Sequence, residues 1–273
     1  MRNQLRNSAI RQTKSFEKFI SNATNTATLN IAKNNWTNYT PRPSQKKVAG
    51  IDSSRNTANL SVLPLSAVQV VCMTKNGDCI FEKSTIGFDQ NPDQVSLILE
   101  CNAITESVQK SVDLTLTDGS LYSAASIPSI WEMHTNHMSE LLDAKVVFVS
   151  KSSLSKLSLQ GPLTDGFYYS NATTSPGFSI PTIDKTYSKT KAITSTFVRL
   201  SENTPILKIE FLGEQTEDQI KSTMDDMSDV VVGGYPYEFV LAHQQCLIQK
   251  ADMDELLSIF GLSAQERARE VLS

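Results

Sequence analysis

The chain has 273 residues, 20% of them charged, with a net charge of −4. That length accommodates one large domain, or one domain with an appendage, around a sizeable core. The acidic balance excludes a globally basic nucleic-acid footprint and leaves only local basic patches open.

Residues 1 to about 35 carry Leu5, Ile10, Phe16, Phe19 and Ile20 at roughly helical spacing, which predicts one or two helices. TPRPSQKK, Thr40 to Lys47, breaks that pattern with two prolines and reads as a linker. VAGID, Val48 to Asp52, reads as a short buried strand ending on a carboxylate. Ser66 to Met73 is a second strand, KNGD a hairpin turn, and CIFEKSTIGF a third strand. Pro92 and Asp93 open a helix over Asp93 to Val108 that is apolar nearly all round. Val112 to Leu121 is a strand on which Leu114, Leu116 and Asp118 share a face, closed by an Asp-Gly turn.

A further helix is expected over Ile130 to Leu142, then a central strand over Ala144 to Ser152. Gly161 to Lys191 reads as loop, given Pro162, Pro176, Gly177 and Pro181. Two strands, Ile193 to Leu200 and Pro205 to Leu212, precede an amphipathic helix in EQTEDQIKSTMDDMSDVV. After the Tyr235-Pro236-Tyr237 turn, Glu238 to Gln249 is helical, and the tail from Met253 is helix, turn, helix. The sum is a mixed α/β domain with a mixed sheet.

The four cysteines, Cys72, Cys79, Cys101 and Cys246, form no C-x-x-C pair, so zinc-ligand spacing is missing. Free thiols in a reducing, cytoplasmic setting are the expectation. No apolar run of about 18 residues predicts a membrane span. The basic N-terminal residues Arg2, Arg6 and Arg11 lack the apolar stretch of a secretory signal. P-loop, dinucleotide-binding and hydrolase-elbow motifs are all absent from the sequence.

Two carboxylates, Asp52 and Asp118, stand at predicted strand ends and are followed by small residues. Strand carboxyl ends are where open α/β sheets build sites. Converging carboxylates stay ionised only beside a cation, and oxygen donors select magnesium or manganese over zinc. A lone aspartate, by contrast, ordinarily caps a turn. The helix between them offers Glu100 on a narrow polar stripe with Ser96 and Ser107, and Glu106 on an apolar flank. The helical wheel alone does not choose between them. Lys151 ends the central strand, where it either binds phosphate or is solvated. His134 and His137 lie three apart on a helix with nothing to complete a zinc set, and read as surface histidines. Tyr235 and His243 follow Gly233-Gly234; from chemistry alone they read as a packing tyrosine and a satisfied core histidine.

In chain order, VAGIDSSR, the Glu100 helix, DLTLTDGSL, VVFVSKS, FVRL, LKIEF and GGYPYEFVLAH resemble the NurA nuclease family over roughly Val48 to Leu256. The last block is the most specific. The resemblance implies an RNase H-like α/β fold, a mixed sheet flanked by helices, with a nuclease domain over 48–273. Residues 1–47 would form a helical extension and linker. It implies a Mn²⁺- or Mg²⁺-dependent deoxyribonuclease, a 5′-to-3′ exonuclease with single-strand endonuclease activity. It further implies a homodimer acting on single- and double-stranded DNA ends with a HerA-type hexameric ATPase in end resection, away from any membrane. By the same resemblance Asp52, Glu100, Asp118 and His243 are metal ligands, and Lys151 and Tyr235 join them as catalytic residues. Glu100 matches the family's helix glutamate better than Glu106. The pattern departs where Ser53 follows Asp52, a position at which the family carries glycine. Two other readings compete: a non-catalytic RNase H-like docking module, which predicts a missing carboxylate, and a small-substrate phosphohydrolase, which predicts a closed pocket.

Overall fold

The structure is a computed structural model that describes residues 12–13, 15–18, 20–21, 24, 26–60, 62–129, 131–132, 136, 145–186 and 192–262. Most of the predicted 130–142 helix, both His134 and His137, and the end of the tail lie outside the described residues.

A helix, α1 (Thr26–Asn34), leads into a short strand, β1 (Trp36–Asn38). Three long antiparallel strands come next: β2 (Val48–Asn59), β3 (Pro64–Thr74) and β4 (Cys79–Phe88). Helix α2 (Pro92–Gln109) crosses over to β5 (Leu114–Asp118), which pairs parallel to β2. A five-residue helix α3 (Leu121–Ala125) precedes β6 (Lys145–Ser150), which pairs parallel to β5. Then come α4 (Asp165–Ala172), β7 (Gly177–Ser179), β8 (Thr182–Asp184), β9 (Ile193–Arg199) and β10 (Leu207–Leu212). The chain continues through α5 (Glu217–Met227), a β11–β12 hairpin (Val231–Val232, Tyr235–Pro236), α6 (Tyr237–Cys246) and α7 (Lys250–Ile259). The strand order β1-β7-β9-β10-β6-β5-β2-β3-β4 joins first and last parts of the chain in one sheet, with β8 on β9.

The sequence and the structure differ in three places. The strand from Val48 does not end at Asp52; it runs to Asn59, because β3 pairs with it from Ala49↔Thr74 to Asn59↔Pro64. The stretch from Gly161 to Lys191 is not all loop: it contains α4, β7 and β8. Thr164 caps α4 by accepting from the Phe167 amide, and β7 and β8 each pair with β9. The TPRPSQKK segment has no regular structure, yet it is tied down. Asp225 accepts from the Arg42 amide, and Lys46 pairs with Asp226.

Burial explains the layers. On one face, Leu114, Leu116, Val147 and Ile209 pack under Ile220, Met224 and Met227 of α5 and Phe239 of α6. On the other, Ile51, Val70 and Phe148 pack under Leu99, Ala103 and Ile104 of α2. Helix α6 approaches β2 most closely at Gly50, where an added Cβ would come 2.8 Å from the backbone carbon of Glu238. Backbone cannot move aside as a flexible side-chain tip can, so only glycine fits there. Gly50→Ala is therefore expected to lower stability by about 1–3 kcal/mol, read as a shift in the urea midpoint. Because α6 carries His243, the same change is expected to displace that ring.

Candidate active site

Register sets the first two carboxylates side by side. The parallel pairing of β2 with β5 ends at Ile51↔Thr117, and the next residue on each strand is an aspartate, Asp52 and Asp118. Asp52 is buried although its strand continues past it. Asp118 ends β5, and Gly119 then turns the chain at φ 140°, a conformation that favours glycine. The turn is held from both sides. The Gly119 amide donates to the Val149 carbonyl at 3.0 Å, and the Ser150 hydroxyl donates to the Gly119 carbonyl at 2.9 Å.

A residue not foreseen from the sequence secures the start of α3. Glu210 of β10 is fully buried and accepts from the Ser120 hydroxyl at 2.9 Å, the Leu121 amide at 2.6 Å and the Tyr122 amide at 3.4 Å. Lys208, two residues back on the same strand, pairs with it at 2.7 Å. A buried carboxylate needs such a full set of donors to stay charged.

Helix α2 supplies the third carboxylate, and burial decides between the candidates. Ser96, Glu100 and Ser107 are all buried, so the polar stripe faces inward. Glu106 lies on the outer side, partly exposed, and pairs with Lys110 at 3.3 Å. The Glu100 carboxylate accepts from the Ser53 hydroxyl at 2.6 Å and the Ser96 hydroxyl at 3.1 Å. Ser53 therefore links β2 to Glu100, and its amide also donates to Asp52 at 2.8 Å. Burial pushes the Glu100 carboxyl up to about 7, against the two hydroxyls, with the charge of Asp52 adding to the rise. Burial also raises Asp118, although Lys151 works against it.

Lys151 places its ammonium 2.5 Å from Asp118 Oδ2. Burial acts to lower its pKa, but the hydrogen bond and charge of Asp118 outweigh burial and the net shift is upward. Lys151 is therefore a charged, half-buried partner of Asp118 and not a freely solvated surface lysine. His243 brings Nδ1 to 2.8 Å from Asp52 Oδ2, while its ring stays more than half exposed. It is not a core histidine. Tyr235 packs against the α5–α6 core, near enough to Lys151 to act on its charge. Gly233 and Gly234 form the β11–β12 turn at φ 60° and 92°. Gly234 lies against Thr204 and Pro205, which is why a side chain does not fit there.

Asp52, Ser53, Glu100 and Asp118 line one cavity of about 570 Å³, with Arg55 and Asp93 on its rim. His243 and Lys151 join it through Asp52 and Asp118. Three carboxylates and an imidazole are the donor set of a hard divalent cation. A cation among them would offset the mutual repulsion and the burial that raise Glu100 and Asp118, so the residues fit such an ion. Cys246 also lies close: one donor atom each from Asp52, His243 and Cys246 fall within 4.8 Å of one another. Burial pushes that thiol up to about 12, however, which makes it a neutral core group.

The strand order β4-β3-β2-β5-β6, three antiparallel strands and then two parallel ones, with acidic residues on the first strand, the crossover helix and the fourth strand, defines an RNase H-like α/β domain. The NurA domain family model matches residues 46–248, and the chain belongs to the NurA family. The crystal structure of the NurA nuclease from Sulfolobus solfataricus superposes with a TM-score of 0.78 at 18% identity, over 93% of this chain and 95% of that one. A crystal structure of NurA with manganese gives 0.63 at 10% identity, over 92% and 98%. One of NurA bound to dAMP and manganese gives 0.61 at 11%, over 90% and 95%. No curated protein matches the chain. Among the described residues, no helix is long and apolar enough to cross a membrane.

Proposed function

We propose that the chain is a divalent-metal-dependent DNA nuclease, hydrolysing phosphodiesters as a 5′-to-3′ exonuclease and single-strand endonuclease. The observation that carries this reading is the meeting of Asp52, Glu100 and Asp118 at one cavity, with His243 on Asp52 and Lys151 on Asp118. A relative whose structure is bound to dAMP and manganese supports both the substrate class and Mn²⁺, with Mg²⁺ as the alternative ion.

In this reading Asp52, Glu100, Asp118 and His243 hold the metal. When bound, it supplies charge stabilisation for the phosphoryl oxygens and a water of lowered pKa. The chain's own groups do the rest. Ser53 and Ser96 orient Glu100 through their hydroxyls. Lys151 keeps a full positive charge beside Asp118, where it pairs with a non-bridging oxygen of the scissile phosphate. His243, oriented by Asp52 through Nδ1, has its other ring nitrogen left for the metal. Tyr235 contacts a phosphate or a base beside Lys151.

The nuclease works as a homodimer with a HerA-type hexameric translocase in end resection, which supplies the DNA affinity that an acidic chain lacks. Residues 48–273 form its nuclease domain and 1–47 its docking extension. The docking-module alternative predicts a missing carboxylate, and all three are present at the cavity. The test is cleavage of end-labelled single- and double-stranded DNA with Mn²⁺, Mg²⁺ or chelator, alone and with the translocase. Manganese-dependent products are expected. Absence of cleavage under every condition would return the reading to a docking module.

A further inference from the structure

The cavity at the acidic centre does not end there. Ser120 and Ser123 line both it and a second cavity of about 410 Å³. That one in turn shares Ser150, Ser152, Ser153 and Lys208 with a third, of about 360 Å³. The three therefore form a continuous path from the carboxylates, over the end of β6, toward α4 and the β9–β10 loop.

The chemistry changes along this path. The first cavity is lined by Asp52, Asp93, Glu100 and Asp118. Among the described residues, the lining of the second and third includes no carboxylate, in a chain whose net charge is −4. Hydroxyls and two lysines, Lys151 and Lys208, take their place. Aromatic and aliphatic side chains are interleaved with them: Tyr122, Phe167, and the exposed Leu154 and Leu157. A groove lined by lysines, π-faces and hydroxyls, with no carboxylate among the described residues of its lining, is suited to a single strand, whose phosphates seek cations and donors and whose unpaired bases need something to stack on. A duplex would keep its bases paired and gain nothing from the aromatic rings.

The walls are built in advance. Lys208 is 5% exposed yet lines both outer cavities, so its ammonium is fixed rather than free on a mobile stem. Glu210 holds it at 2.7 Å and the Tyr122 ring lies 4.6 Å away. Glu210 keeps its charge and also accepts from Ser120 and the first amide of α3, so the pair is anchored to the start of that helix. Asp165, fully buried, accepts from the Ser155 hydroxyl and from the Ser158 and Leu159 amides, which fixes the loop forming the outer wall.

We propose that the single strand flanking the scissile phosphate runs through these two outer cavities, with Lys208 holding its sugar–phosphate backbone and Phe167 facing its bases. This rests on the nuclease reading of the acidic centre and extends it to the substrate's path.

The test is fluorescence anisotropy in chelator, so that nothing is cleaved, with labelled oligothymidylates from a dinucleotide up to about 16 nucleotides, the upper site size of one single-strand-binding module. Wild type is expected to gain affinity with length. Ser152→Glu places a carboxylate at an exposed position lining both outer cavities. It is expected to weaken the longer oligonucleotides about tenfold and to flatten the length dependence. Ser84→Glu, exposed on the far edge strand β4, adds the same charge away from the groove and is expected to leave binding as it was. Lys208→Met is expected to lower the slope of log K against log salt by about 0.7, one phosphate contact on a single strand.

Wild type that gains no affinity with length, or a Ser152→Glu protein that binds as Ser84→Glu does, overturns the groove. If wild type binds with this pattern but cleaves nothing in Mn²⁺, the nuclease reading fails while the groove stands.

Discussion

Asp118→Asn is expected to abolish manganese-dependent DNA cleavage while leaving the chain folded. The substitution keeps the shape of the side chain and removes one unit of negative charge from the centre of the donor set. A carboxamide is a poor ligand for a hard cation, and the ion's charge at the phosphate is what lowers the barrier. Removing a single stabilising group of this kind elsewhere costs a factor of about 10²–10³ in rate. A direct ligand acts on both binding and chemistry, so a loss of on the order of 10³-fold or more is expected.

Stability responds far less. Asp118 and Lys151 are both partly exposed, so solvent screens their pairing, which contributes no more than about 1 kcal/mol. Burial already disfavours the charged form of Asp118, which offsets part of even that. Single-turnover gel assays, beside thermal melts of both proteins, separate the two effects. An Asp118→Asn protein cleaving near the wild-type rate would remove Asp118 from the site. Asp52→Asn is expected to lose activity to a similar extent and also to release His243, whose Nδ1 rests on that carboxylate.

The pairing pattern explains why so much of this site is legible in the sequence. Asp52 follows VAGI and Asp118 follows LTLT, both buried throughout, and a parallel register between the two strands brings their ends together. The polar stripe of α2 is equally visible. Whether it faces solvent or the sheet is not, because an amphipathic wheel gives the same answer for a water-facing stripe and for one facing a cavity. Burial of Ser96 and Ser107 settles that point.

Two of the parts that stayed hidden have a common cause. In LKIEFL the lysine and glutamate alternate with apolar residues, the pattern of a strand with one wet face. Here both faces of β10 are covered, so Lys208 and Glu210 are buried as a pair. Likewise SSRNTAN carries almost no apolar signal after Asp52. It is a strand because β3 pairs with it along its whole length. Helix α4 is concealed by nearby prolines and glycines, although Thr164 and Asp165 are ordinary helix-start residues. Long-range pairing, which local periodicity does not encode, decides the two strands.

Glu100→Gln is expected to make the metal-free protein more stable at alkaline pH while removing its response to manganese. An isolated glutamate titrates near 4.5, and burial raises Glu100 to about 7. The folded state therefore holds a proton that the unfolded chain has already released between those two values. Stability must fall as pH rises through that window, because the native state binds the extra proton. Below about pH 4.5 the wild-type and glutamine proteins should be alike at this position. Above pH 7 the wild type carries a buried charge, and the difference reaches on the order of 3 kcal/mol, from about two and a half units at 1.36 kcal/mol each. For a chain of this size that corresponds to about 6–10 °C in melting temperature at pH 8.

The amide suits the place: its oxygen still accepts from Ser53 and Ser96, and its NH₂ can donate toward Asp52. Manganese should close most of that gap. A cation held by Glu100 pairs with the ionised form and stabilises the wild type by about 2.7 kcal/mol at a hundredfold excess over its Kd, whereas the variant gains little. Melting curves at pH 5 and pH 8, each with chelator and with Mn²⁺, test both halves. A glutamine protein no more stable than wild type at pH 8 would mean that Glu100 carries no burial penalty. A manganese shift equal to wild type's would mean that the ion is held without it.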